Sequence, residues 1–210
     1  MKRLFVLLSL LGLASGCVRP MTALTFDEHL PGTILHDQHR AQGVVFSSAG
    51  YDFVTRRASP AFDGVVVASH WPSSGQRCVQ PTRSGRFQDI PFPDFPALEL
   101  RFVVPGTNAP ASTNFVSLRL DASPNDGHLD GISMIAFDVR GRPVAASTVD
   151  DRIPNALLSV SGPWIHRVVV VKNESDSGDM ETYDDVCFTR PRPSPGPLPR
   201  KLDRPRLKRK

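Results

Sequence analysis

The stretch Leu98-Glu99-Leu100-Arg101-Phe102 alternates apolar and charged residues with a period of two. Successive side chains of a β-strand point to opposite faces, so this pattern predicts a strand with one face in the core and the other in solvent. Phe115 to Leu120 and Ile135 to Val139 repeat the alternation. These three segments predict half-buried strands, the units of an all-β domain.

Seven further short apolar runs lie between turn signals, over residues 23–26, 43–47, 64–69, 144–149, 157–160, 165–171 and 183–188. No window of eleven or more residues repeats its apolar positions at helical spacing. Ten short strands between residues 23 and 189 fit a single core enclosed by two sheets. We therefore predict an all-β, two-sheet antiparallel β-sandwich of jelly-roll type over residues 23–189, with a barrel as the alternative.

The first sixteen residues form a separate unit. Lys2 and Arg3 precede an apolar run and the small residues Ala14-Ser15-Gly16, which predicts a secretory signal peptide over residues 1–16 and an exported protein. The following Cys17 completes a resemblance to the lipobox of bacterial lipoproteins. The pattern predicts a lipid on Cys17, a linker over residues 17–22 and anchoring in a membrane of the cell envelope. Ordinary cleavage, which would leave a soluble periplasmic or secreted protein, is the alternative.

The cysteine count agrees with a lipid on Cys17. The chain has three cysteines, and an odd thiol is unfavourable in an oxidising compartment. If Cys17 carries lipid, Cys78 and Cys187 remain as an even pair. We predict a disulfide between them, whose long loop would contribute about 4.7 kcal/mol in the chain-entropy model. The alternative is two buried free thiols.

The net charge of +4 is unevenly distributed. Residues 1–16 contribute +2 and residues 190–210 contribute +8, which leaves −6 for the remainder. The segment 190–210 is also rich in proline and poor in apolar residues, so we predict a disordered basic tail. Such a tail is suited to contact anionic surfaces, or it is a solvated tail with no target. No feature predicts specific nucleic-acid binding.

Several segments together resemble a known class of domain. The sequence is similar to the jelly-roll, galactose-binding-like domains of secreted bacterial proteins, including carbohydrate-binding modules. The resemblance implies the same sandwich fold and a binding role. It is carried by Thr25-Phe26-Asp27-Glu28, Pro31-Gly32-Thr33, Gly43-Val44-Val45-Phe46-Ser47, Ala136-Phe137-Asp138, Gly141-Arg142-Pro143-Val144, Ile165-His166-Arg167-Val168 and Tyr183-Asp184-Asp185-Val186-Cys187-Phe188.

Many domains of this class hold a structural calcium ion where the first and last strands meet. The resemblance implies Asp27, Glu28, Asp184 and Asp185 as its ligands, and two acidic pairs offer the oxygen atoms that calcium prefers. If Val186 and Phe188 face the core, Asp184 shares their side of the strand and needs a cation or a donor there. The alternative is that both pairs lie in solvated turns.

The sequence gives little support for an enzyme. It has no Gly-x-Ser-x-Gly nucleophile elbow and no glycine-rich phosphate loop, so we expect a non-catalytic protein. His36 and His39 are three residues apart, but Pro31-Gly32 and Gly43 indicate a loop around them. We therefore expect two exposed loop histidines rather than a zinc site.

Aromatic side chains are the remaining candidates for a binding site, because a flat ring can stack on the face of a sugar. Trp71 and Tyr51 lie in predicted loops and are the ligand-binding candidates, with a lid over one end of the sandwich as the alternative for Trp71. Trp164 is expected to pack in the core or at its rim. We predict a non-catalytic cell-envelope binding module for glycans; the alternative is a structural lipoprotein that docks another envelope protein.

Overall fold

A computed structural model describes residues 20–52, 57–62, 64–69, 72, 75–82, 96–121, 131–150, 153, 155–172 and 182–195. Within these residues the only helical segment is one 3₁₀ turn, Arg40–Gln42. No described helix has the length and hydropathy needed to cross a bilayer. The strands are β1 Met21–Leu24, β2 Ile34–Leu35, β3 Val44–Asp52, β4 Arg57–Phe62, β5 Val65–Ala68, β6 Cys78–Pro81, β7 Pro96–Phe102, β8 Ala111–Asp121, β9 Gly131–Phe137, β10 Pro143–Asp150, β11 Ala156–Ile165, β12 Arg167–Lys172, β13 Thr182–Thr189 and β14 Arg192–Pro193.

These strands form two sheets in which every pairing is antiparallel. The first sheet has the order β11-β8-β13-β6-β5-β2, with β1 added beside β13 and β14 beside β8. The second sheet has the order β10-β9-β12-β7-β3-β4. The predicted all-β, two-sheet antiparallel sandwich is confirmed.

The core lies between the sheets and follows from the alternation in the sequence. In β9, for example, Ile132, Met134 and Ala136 are buried while the intervening residues are partly exposed. Phe102 of the second sheet packs against Phe188 of the first, with ring centroids 5.3 Å apart. Burying such large side chains supplies the main driving force for closing the sandwich.

The sandwich continues past Thr189, where the sequence placed the start of a disordered tail. Arg192 and Pro193 pair with Ser112 and Ala111 of β8. Pro191 is buried, and a side-chain carbon added to Gly43 would lie 2.9 Å from its ring. Residues 190–195 therefore belong to the folded domain. Residues 196–210, like the predicted signal peptide and Cys17, lie outside the described residues.

The predicted bridge between Cys78 and Cys187 is not formed, and neither cysteine takes part in a disulfide. Cys78 lies in β6 opposite Ala68 of β5, whereas Cys187 lies in β13 opposite Ser117 and Ala23. The single register pair between β6 and β13 joins Val79 to Tyr183. That pairing puts Cys78 beside the start of β13, several residues from Cys187. The structure therefore has two thiols that are not bridged, of which Cys78 is buried, as in the alternative, whereas Cys187 is partly exposed.

Candidate functional site

A cleft at one edge of the first sheet is built around an irregularity in β11. This strand pairs with β8 up to Ser161 opposite Phe115, and pairing resumes only at Ile165 opposite Thr113. Three residues, 162–164, therefore stand opposite one residue of β8. Such a bulge breaks the ladder and redirects the side chains that it contains.

The bulge directs Trp164 outward. Its φ of 60° is in the left-handed region, and its side chain is 49% exposed. A bulky non-glycine residue in this conformation costs about 1–3 kcal/mol, and strained residues of this kind concentrate at functional sites. Trp164 was expected to open a strand and to pack in the core or at its rim; it instead lies near the end of β11, and its exposure excludes the core but not the rim.

The opposite wall of the cleft is formed by the segment that follows β13. Thr113 Oγ1 donates to the carbonyl oxygen of Thr189 at 2.6 Å, and the Asn114 backbone N–H donates to Thr189 Oγ1 at 3.1 Å. The hydroxyl oxygens of Ser112 and Ser194 lie 2.6 Å apart. These contacts fix the wall to β8. The shape of the cleft is therefore set by segments bonded to β8 on both sides rather than by a loop.

Between these walls lies a cleft of about 820 Å³. Trp164 and Pro163 belong to β11, Arg190 and Arg192 to the segment after β13, and the exposed Asn114 lies in β8, which is paired with both. Among the described residues its lining contains no carboxylate, histidine or cysteine. The cleft therefore offers an aromatic face, an amide and two guanidinium groups, which together can bind a polar ligand.

The calcium ligands predicted from the sequence are Asp27, Glu28, Asp184 and Asp185. No three of these four have carboxylate oxygens that all lie within 4.8 Å of one another. Asp27 Oδ1 instead accepts the backbone N–H of Gln76 at 2.7 Å, and Asp185 Oδ2 lies 3.4 Å from Arg119 Nε. Calcium binding stays a prediction of the resemblance.

Asp184 is fully buried, but not on the side that alternation suggested. The register shifts between Asp184 and Cys187, and Asp185 has a φ of 48°. This bulge makes Tyr183, rather than Asp184, share the core side with Val186. Asp184 Oδ1 accepts the backbone N–H of Asp185 at 2.7 Å, which compensates part of its desolvation.

Glu28 belongs to a different group, which the sequence did not suggest. Glu28, His29 and His39 bring three potential metal-ligand atoms within 4.8 Å of one another. His39 is only 3% exposed, so the expectation of an exposed loop histidine is wrong for this residue. Burial lowers the pKa of His39, against an opposing effect of Glu28.

The structure does not describe the side chains of the two aromatic residues predicted to bind a ligand. Trp71 lies outside the described residues. Tyr51 lies in β3 with Ala58 as its partner in β4, and its side chain is outside the described set. The ligand-binding roles of Trp71 and Tyr51 stay predictions. Among the described residues, Trp164 is an aromatic residue with a half-exposed side chain.

Comparisons with known proteins give similarities of fold only. No family model matches the chain, and no curated protein matches it in sequence. A glycoside hydrolase family 43 arabinoxylan arabinofuranohydrolase from Bacillus subtilis is 12% identical, with a TM-score of 0.36 over 61% of this chain and 25% of its own. The M60 catalytic domain with the CBM51-1 and CBM51-2 domains from Clostridium perfringens ZmpB is 9% identical, with a TM-score of 0.32 over 81% of this chain and 15% of its own.

A third structure is CBM51 from Clostridium perfringens GH95 in complex with methyl-galactose. It is 9% identical, with a TM-score of 0.31, and the match covers 80% of this chain and all of that chain. The chain thus spans a quarter or less of the first two structures and the whole length of the third. The comparisons assign no role to any residue of this chain.

Proposed function

We propose that this domain is a non-catalytic binding module for glycans, and that the cleft beside Trp164 holds the ligand. The observation that carries the proposal is Trp164 itself, half exposed and fixed in a strained conformation at the wall of a preformed cleft. A sugar presents an apolar face of C–H groups, which stacks on an aromatic ring, and a rim of hydroxyl groups, which needs hydrogen-bond partners.

The polar residues of the cleft supply those partners. Asn114 offers both a donor and an acceptor, and the guanidinium groups of Arg190 and Arg192 offer donors only. Two positive charges also favour a glycan that carries carboxylate or sulfate groups, because arginine binds such anions through paired hydrogen bonds. In the cell envelope, the predicted lipid on Cys17 would hold the module near the glycans of the surface.

The proposal is tested by screening the full chain on a glycan array and measuring the affinity of the best ligands by isothermal titration calorimetry. Trp164→Ala should weaken binding at least about tenfold, equivalent to about 1.4 kcal/mol, because the stacking surface is lost. The control is Leu157→Ala, which removes a 54% exposed apolar side chain from the same strand and should leave the affinity unchanged.

Two results would contradict the proposal. Binding to no glycan would favour the alternative of a module that docks another envelope protein. Equal affinities for the native protein and Trp164→Ala would place the ligand elsewhere, and Trp71→Ala would then test the site predicted from the sequence.

A further inference from the structure

The cluster of Glu28, His29 and His39 lies apart from the cleft, and its geometry matches that of a metal site. The Nε2 atoms of His29 and His39 are 3.3 Å apart. Glu28 Oε1 lies 3.5 Å from His29 Nε2 and 3.9 Å from His39 Nε2. In a tetrahedral zinc site with metal–ligand distances of about 2.0–2.1 Å, neighbouring ligand atoms are about 3.3–3.4 Å apart. The triangle of ligand atoms therefore has nearly the size that one bound ion requires.

The fold holds this triangle in place from both sides. The His39 ring lies edge-on to Phe26 and Phe46, with ring centroids 5.9 and 5.7 Å away. Both phenylalanines belong to the core. His29 is fixed by its backbone N–H, which donates to the carbonyl oxygen of Phe26 at 3.1 Å. Core packing thus brings together two histidines that are ten residues apart in the chain.

A second structural contact anchors the turn that carries Glu28 and His29. The Asp27 carboxylate accepts the Gln76 backbone N–H, and a Cβ atom at Gly75 would overlap that carboxylate. Gly75 also has a φ of 61°, which favours glycine. This contact with the 75–77 segment fixes the backbone immediately before Glu28 and His29. Binding an ion therefore costs little conformational entropy in this turn.

We propose that Glu28, His29 and His39 bind a divalent transition-metal ion of the zinc type. Two imidazole nitrogens and one carboxylate oxygen are a ligand set that zinc accepts, whereas calcium prefers oxygen ligands alone. The 53% exposure of the Glu28 side chain leaves the fourth position of the tetrahedron open to water or to a further ligand. An ion here ties the turn after Phe26 to the 3₁₀ turn after His39.

The experiment uses the full chain without a histidine tag, stripped with chelator and titrated with Zn²⁺ in competition with a chromophoric chelator. We expect one Zn²⁺ per chain and, with Co²⁺ as the probe, the visible absorption of a tetrahedral site. At a hundredfold excess over Kd, Zn²⁺ should raise the Tm by about 5–10 °C. His29→Gln and Glu28→Gln should each weaken Zn²⁺ binding at least about a hundredfold, as expected for loss of a direct ligand.

The matched control is His36→Gln. His36 lies in the same connection, but its Nδ1 faces the carbonyl oxygen of Phe46 at 3.2 Å and it is not one of the clustered ligands. This variant should bind Zn²⁺ like the native protein. The proposal is overturned if the stripped protein does not bind Zn²⁺. It is also overturned if His29→Gln binds with native affinity, because the ion would then be held elsewhere, for example by cysteine thiols. Both readouts are independent of glycan binding.

Discussion

Asp138 shows how much a single residue contributes to the described structure. Its Oδ1 accepts the backbone N–H groups of Arg140 and Arg142 at 2.9 and 3.0 Å, and its Oδ2 accepts Arg142 Nε at 2.8 Å. One carboxylate thereby organises the whole turn between β9 and β10. Burial by itself would raise the pKa of Asp138, but the hydrogen bonds from Arg142 and Arg140 outweigh it and hold the pKa below 3.8.

We predict that Asp138→Ala lowers the free energy of unfolding at pH 7 by about 1–3 kcal/mol, because the donors of the turn lose their acceptor. A carboxylate with a depressed pKa stabilises the fold above its unfolded pKa and loses this effect as the pH falls through its folded pKa. The difference between native protein and variant should therefore be constant from pH 7 to about pH 5 and shrink towards pH 2. Urea unfolding at these pH values measures it.

Arg140→Ala is the control for this prediction. The exposed Arg140 contributes its backbone N–H to Asp138, and alanine keeps that group. The control should unfold like the native protein. A difference for Asp138→Ala that is the same at pH 7 and about pH 2 would show that the charge of Asp138 does not support the turn.

At the scale of elements, the segment after β13 is both a wall of the cleft and a part of the sheet. The Arg190 backbone N–H donates to the carbonyl oxygen of Pro20 at 3.3 Å, and that of Ser194 donates to Pro110 at 3.2 Å. These bonds connect the segment to the residues that immediately precede β1 and β8. The segment therefore stabilises the sandwich even though its composition is that of a disordered tail.

Two truncations separate this segment from the remainder of the tail. Ending the chain after Thr189 should lower the Tm by about 5–10 °C, because it removes roughly 3 kcal/mol of hydrogen bonds and buried surface. It should also weaken glycan binding, because Arg190 and Arg192 are lost. Ending the chain after Pro195 keeps both arginines and should change neither property. Equal Tm values for the two truncated proteins, measured by circular dichroism, would contradict the role given to residues 190–195.

At the scale of the whole molecule, the sequence predicted the architecture well because alternation reports directly on burial. All ten predicted strands overlap observed ones. Four strands, β2, β4, β6 and β14, were not predicted. Three of these contain proline and the fourth has only two residues, so none shows an alternating pattern of useful length. Their pairing depends on tertiary contacts rather than on local sequence.

The candidate sites were less predictable, because they too depend on tertiary contacts rather than on local sequence. The sequence Gly162-Pro163-Trp164 interrupts the alternation of β11, which signals an irregularity, but the outward direction of Trp164 depends on the register with β8. His29 and His39 meet only because Phe26 and Phe46 pack in a common core. The sequence could not show that Cys78 and Cys187 are kept apart by the register of their strands. β6 pairs with β13 at Val79 and Tyr183, near the start of β13, whereas Cys187 lies near its end.

The central claim is that the cleft beside Trp164 binds glycans, and the indole N–H signals of the protein test it most directly. The chain has two tryptophans, so a ¹H–¹⁵N spectrum of the full chain contains two indole signals, and a Trp71→Phe variant assigns them. During titration with the best ligand from the glycan array, the Trp164 signal should shift and saturate with the Kd measured by calorimetry. A glycan that binds with that Kd while the Trp164 signal does not move would contradict the account.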